Sequence, residues 1–388
     1  MRSTGRVVAG LVAVAAVVAA VVGAVMLSGS DATAPIGAVA AVQDDHLSTE
    51  PIETIPARLD LLEATGATTT RVDLFWNSVA SGPEPPQDPT DPADPAYDFS
   101  RADTIMRGLA DRGITPILSV YSTPAWSSGG AVDAIGGPIN RLAPEPADYG
   151  RFMTAVATRY NGAFAGPGGD VLPEIRHYEV WNEPNLSGFL QPAEEGAEAR
   201  LDVYADLVRA AHPAIKGANA RAQVIVGVGG PRSSTTPTGV GAVEWLRGLR
   251  ERDVPLDAYS QHVYPAAAPT VETEVVPSWS SIGRVIDELD AWRADPAIPL
   301  YITEAGYTTA ATRFRDTKVT EAQQAEYLTQ IFSLPQLRTD RIKAVVWFNL
   351  QDNADWPAGL LRDVTLEQKP SYERFLQVVR DQEGARLE

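Results

Sequence analysis

The sequence predicts a single (β/α)8 TIM barrel behind an apolar N-terminal segment, and three observations carry that expectation. Eight short strand-like runs alternate with amphipathic helical stretches from residue 36 onward. Their spacing leaves room each time for a strand, a helix and two loops, the unit of a wound parallel sheet. The long irregular stretches follow strands rather than precede them, as on the loop-bearing C-terminal face of a barrel.

The N-terminus sets the compartment. Arg2 and Arg6 precede an uncharged run, residues 7–27, made mostly of valine and alanine. At about 1.5 Å per residue a helix of this length nearly crosses the roughly 30 Å of bilayer hydrocarbon. The basic flank predicts an inside N-terminus, with everything after Ser28 exported. Ala32-Thr33-Ala34 is a small-residue cleavage site, but Pro35 would follow the cut, which favours an anchor over a cleaved signal. The chain is therefore divided into residues 1–34, signal or membrane anchor, and residues 35–388, the barrel.

Strands are expected at 36–42, 69–74, 115–121, 176–181, 223–228, 258–263, 300–303 and 342–349. Helical patterns fall at 52–65, 147–160, 201–218, 282–294 and 321–333, with a last helix near 372–379 and only a short tail beyond. The loops at 77–97, 122–145, 229–241 and 351–369 are rich in Pro, Gly, Ser and Asp. No second domain fits.

Composition excludes several chemistries. The formal net charge of −18 repels phosphate backbones, so nucleic-acid binding is disfavoured. Without cysteine there are no disulfides, thiolate zinc sites or cysteine nucleophiles. His46, His177, His212 and His262 have no zinc-ligand spacing, and Asp88, Asp91 and Asp94 lack the turn glycine of a calcium loop. The run from Gly227 to Arg232 follows a strand, but Arg232 stands where a dinucleotide fold needs a small residue. No metal and no cofactor is implied. Asn185-Leu186-Ser187 is a sequon only by chance, since a glycan there would block the barrel mouth.

Two glutamates stand at strand ends. Glu183 leaves the fourth strand in Glu179-Val180-Trp181-Asn182-Glu183-Pro184-Asn185, where Pro184 stops the ladder. Alternation there pairs Glu179 with Trp181 on one face. Glu304 leaves the seventh strand in Ile302-Thr303-Glu304-Ala305-Gly306-Tyr307. Two carboxyl groups at one rim suit glycosidic cleavage, in which one protonates the leaving oxygen and the other attacks or shields the sugar carbon.

These motifs resemble those of the clan A glycoside hydrolases, and most of all glycoside hydrolase family 39, with the family 5 cellulase type second. The resemblance implies Glu183 as general acid/base and Glu304 as nucleophile, with retention of configuration. It implies Asn182 on the 2-hydroxyl of the cleaved sugar and Arg71 as the arginine that holds the nucleophile ionised. His262 and Tyr264 match the pair that frames the nucleophile, and Trp347 matches the aromatic flooring the sugar subsite. Trp76 and Trp126 are further candidate sugar platforms, whereas Tyr301, Trp181 and Phe348 are read as core.

The expected activity is cleavage of a polysaccharide, endo-acting because the loops are long and open. The family's xylosidases and iduronidases also carry a β-sandwich for which no residues remain here. An exo-acting glycosidase of xylosidase or arabinosidase type, and a non-catalytic carbohydrate-binding barrel, are the alternatives. The partner is a polysaccharide or oligosaccharide, with a membrane tether through residues 7–27. Oligomeric state is not encoded in any motif.

Overall fold

The computed structural model describes residues 37–128, 141–192, 196–382 and 384–387. The expected anchor at 7–27 and the boundary at residue 34 lie outside them. Eight strands form one sheet: β1 (Val39–Gln43), β2 (Thr69–Phe75), β3 (Thr115–Tyr121), β4 (His177–Val180), β5 (Gln223–Gly229), β6 (Ala258–Gln261), β7 (Leu300–Ala305) and β8 (Ile342–Phe348). All neighbouring pairs are parallel, in the order β1-β8-β7-β6-β5-β4-β3-β2. Side chains join the two end strands: Thr70 Oγ1 donates to the Val42 carbonyl at 2.7 Å, and Gln43 Nε2 to Asp73 at 3.1 Å. The sheet is thus a (β/α)8 barrel.

A helix follows each strand: α1 (Ile55–Glu63), α2 (Ser100–Asp111), α3 (Pro146–Arg159), α4 (Ala197–Ala218), α5 (Ala242–Glu251), α6 (Ile282–Trp292), α7 (Glu321–Ser333) and α8 (Pro370–Asp381). Helices α2 and α5 go beyond the patterns named above. Among the described residues no helix is long and apolar enough to cross a membrane.

Two-residue alternation sorts each strand between two cores. Val39, Ala41, Ile117, Ile225, Ala258, Tyr301, Ala344 and Val346 fill the barrel. Val42, Val72, Leu118, Val180, Ile302 and Trp347 face outward into the helical layer. The polar residues Gln43, Arg71 and Glu179 continue the inward rows toward the C-terminal ends of β1, β2 and β4, so parity alone delivers them to the barrel mouth.

The Pro/Asp-rich loop after β2 is held by its own hydrogen bonds and by the helical layer. Its aspartates accept backbone N–H bonds within the loop, Asp88 from Thr90, Asp91 from Ala93 and Asp94 from Ala96. Tyr97 lies against Phe99 and Phe152, and Arg159 of α3 donates to the Pro92 carbonyl at 2.8 Å. The loop is packed against the helical layer by these bonds, which weakens the expectation of an open cleft built from it.

Candidate active site

Arg71 is the centre of the mouth. Its side chain is fully buried, and every nitrogen of its guanidinium is bonded. Nε donates to Glu179 at 2.6 Å, and Nη1 to Glu304 at 2.8 Å and to Gln43 at 3.0 Å. Nη2 donates to Asn182 at 2.7 Å and to Ser119 at 2.9 Å. Asp73 stands 3.3 Å from Nη1. Stripping water from an arginine costs several kcal/mol, which carboxylates and further acceptors must offset.

Backbone irregularity brings both expected glutamates here. At the end of β4, Trp181 and Glu183 take left-handed conformations, with φ of 71° and 41°. Such angles cost roughly 1–3 kcal/mol for a residue with a Cβ and persist where surrounding contacts impose them. They break the alternation expected through Trp181: its ring packs on Tyr149 of α3 and its indole donates to the Phe189 carbonyl, away from Glu179. Asn182 meanwhile reaches Arg71. In β7 the register with β8 shifts between Ile302 and Ala305, so Thr303 meets Ser260 inside the barrel and the next residue, Glu304, still reaches Arg71. Gly230 leaves Glu183 its space, since a Cβ there would sit 3.0 Å from the Glu183 carboxyl carbon.

His262 and Tyr264 connect the pair. The His262 Nδ1 lies 2.8 Å from Glu183 and 3.4 Å from Glu304, and the Tyr264 hydroxyl donates to Glu304 at 2.8 Å. One oxygen from each glutamate and a ring nitrogen of His262 all lie within 4.8 Å of one another. That donor set has the composition of a cation site, but an arginine nitrogen 2.8 Å from Glu304 opposes a second positive charge.

Burial governs the ionisation. It pushes the Glu183 carboxyl up to about 7, with Arg71 pulling the other way. It lifts Glu304 as well, against the opposing pull of His262 and Arg71. Arg71 favours the ionised form of Glu304, as the resemblance implies, but burial is the larger effect and the net shift is upward. Of the two, Glu304 has an arginine and a phenol donating to it directly, contacts that favour its ionised form. Burial lowers the His262 ring and raises Asp45 and Asp73, which favours their neutral forms.

The structure gathers Arg71, Asn182, Glu183, His262, Tyr264 and Glu304, and leaves three tryptophans outside. Trp347 shares the outward parity of its register partner Val42 and is fully buried, its indole donating to the Ala358 carbonyl at 2.9 Å. Trp76 is fully buried and stacked on Phe152 at 5.1 Å. Trp126 meets Trp76 edge-on at 5.5 Å in the same aromatic cluster. Tyr301 and Trp181 are core, as expected; Phe348 is not.

Phe348 shares the inward parity of Gln43 and is only half-buried, against Tyr264 and Trp356. Tyr264 and Trp356 meet at 4.8 Å, so these three rings form the aromatic corner beside Glu304. Sequence reasoning missed it because Trp356 sits in an irregular loop and the neighbouring tryptophan drew the assignment. Strand parity relative to Val346 would have found Phe348. The Asn185 amide is fully buried and donates to the carbonyls of Gly230 and Val240, so the sequon is closed to a glycan in the folded chain.

Comparisons with known proteins give a family and a fold. Residues 87–356 match the family described as "Glycosyl hydrolases family 39". A β-xylosidase of Geobacillus stearothermophilus is 26% identical over 257 residues, 61% of this chain and 46% of the relative. The chain thus spans about half the length of that curated relative. Among solved structures, a family 39 glycoside hydrolase from Bacteroides cellulosilyticus WH2 superposes with a TM-score of 0.60 at 19% identity, covering 89% of this chain and 63% of the other. A monomeric β-xylosidase from Caulobacter crescentus CB15 gives 0.59 at 19%, covering 88% and 67%. A glucosidase from Croceicoccus marinus gives 0.63 at 16%, covering 89% and 67%. These likenesses are of fold.

Proposed function

The chain belongs to glycosyl hydrolase family 39, and from that premise we propose that it is a retaining O-glycosidase using Glu304 as nucleophile and Glu183 as acid/base. The observation that carries the proposal is the glutamate pair itself. Their oxygens lie within 4.8 Å, near the roughly 5–5.5 Å carboxyl spacing of retaining enzymes and short of the roughly 6.5–9.5 Å that admits a water for inversion. Their surroundings also differ in the required sense, an ion pair at Glu304 and a carboxyl lifted to about 7 at Glu183.

In the first step Glu304 attacks the anomeric carbon while Glu183 gives its proton to the departing oxygen. The glycosidic bond breaks, the aglycone leaves as an alcohol, and the sugar is held as an ester of Glu304. In the second, the Glu183 carboxylate takes a proton from water, whose oxygen attacks the same carbon and returns Glu304 as a carboxylate. Asn182 serves both steps. Its side-chain oxygen is committed to Arg71, so its NH2 group is the end left to donate to the sugar's 2-hydroxyl. The Tyr264, Phe348 and Trp356 corner offers rings for the apolar face of the sugar.

We further propose exo action on β-linked sugars, ahead of the endo action expected from the loops. The named relatives are β-xylosidases and a glucosidase, and the loop after β2 is packed against helices. On a reducing-end-labelled xylo- or gluco-oligosaccharide ladder, exo action releases monosaccharide from the first minutes and shortens each labelled chain one unit at a time. Internal cuts giving mid-length labelled products at the outset would return the assignment to an endo enzyme. Delivery across a membrane by residues 7–27 is part of the same proposal and rests on the sequence.

A further inference from the structure

We infer that Glu179 is a positioning residue that holds the charge of Arg71 while Glu304 is esterified, an inference resting on the two-glutamate reading above. Glu179 is fully buried, its Oε2 is 2.6 Å from the Arg71 Nε, and its Oε1 has no partner among the described residues. Arg71 is therefore shared among Glu179 at Nε, Glu304 at Nη1 and, at 3.3 Å, Asp73, and of these Glu304 is the one placed beside Glu183 and His262.

Ester formation removes the charge of Glu304. An arginine that loses its counter-ion in a dry site is costly. The groups facing Arg71 are Gln43 and Asp45 from the β1 end, Asp73 from β2, Ser119 and Tyr121 from β3, and Asn182 and Glu183 from the β4 end. His262 and Tyr264 face it from the β6 end, and Glu304 from β7. Burial raises Asp45, Asp73 and Glu183, which weakens each as a counter-ion. Glu179, fully buried and 2.6 Å from Nε, is then the shortest carboxylate contact left to Arg71 when Glu304 is esterified; Asp73 stands farther off, at 3.3 Å. Glu179 thus keeps Arg71 paired through the covalent step.

The sign of the test follows. Removing the negative charge at Glu179 gives Glu304 a larger share of the field of Arg71 and lowers its pKa. In Glu179→Gln the acid limb of kcat/KM on an aryl β-glycoside moves to lower pH by about one unit. The same variant loses about tenfold in kcat, because the better-stabilised carboxylate is a poorer nucleophile. Glu179→Gln combined with Ser119→Asp returns a carboxylate to Arg71 from the neighbouring strand and restores the limb. It also restores folding, should the single variant not fold. Carbon-13 carboxyl NMR of Glu304, assigned by its loss in Glu304→Gln, reads the shift without any turnover. A limb and a Glu304 titration unmoved by Glu179→Gln overturn the inference, as does a double variant that stays unfolded or unrestored. A wild-type chain inert on every aryl glycoside overturns the glycosidase reading instead, while the NMR titration still decides the charge coupling.

Discussion

Glu304→Gln is expected to lower kcat by at least about 10⁴-fold on every substrate while the protein still folds, since an amide cannot form the glycosyl ester and the covalent route is lost. The fold survives because the substitution keeps shape and Arg71 keeps Glu179, Asn182, Ser119 and Gln43. Steady-state assays beside thermal melting check both halves. Azide added to Glu304→Gly sharpens the test: an anion small enough for the vacated space attacks from the nucleophile's side and gives a glycosyl azide of inverted configuration. Near wild-type turnover in Glu304→Gln would remove Glu304 from the mechanism.

Glu183→Gln is expected to lower kcat/KM by about 10²–10⁴-fold on glycosides with poor leaving groups, the range spanned by one general acid. Dinitrophenyl glycosides, whose leaving oxygen needs no proton, are expected to keep a near wild-type first step and then accumulate the ester, because the second step lacks its base. The pH profile carries the same information. Glu183 must be protonated in the first step and its carboxyl is lifted to about 7, so wild-type kcat/KM falls as pH rises through about 7. That basic limb disappears in the variant. A loss of equal size for good and poor leaving groups would show that Glu183 is not the acid.

The fold was legible because its signals are local and repeated. Each buried strand reads as a short apolar run and each helix as an amphipathic stretch, so the order of elements could be written down from residue 36. The glutamates were legible for another reason: Asn182-Glu183-Pro184 and Thr303-Glu304-Ala305-Gly306 place a carboxyl where a strand must stop. What failed was the direction of side chains. The resemblance makes Trp347 the sugar platform, yet its register partner Val42 sends it outward and leaves the inward place to Phe348. The left-handed Trp181 and the shifted register before Glu304 break the two-residue rule at the site itself, which strand periodicity cannot foresee. The net direction of the Glu304 shift needs the degree of burial, a property of eight strands together. Trp356 carried no signal, lying in a loop without a repeat or motif.

The stereochemistry of the first product tests the central claim most directly. Proton NMR during the first minutes of cleavage of an aryl β-glycoside separates the two anomers before mutarotation mixes them. Two glutamates this close, one on Arg71 and one lifted by burial, predict the β anomer first. The α anomer first would mean a single displacement by water, and the assignment of Glu304 as nucleophile would be wrong.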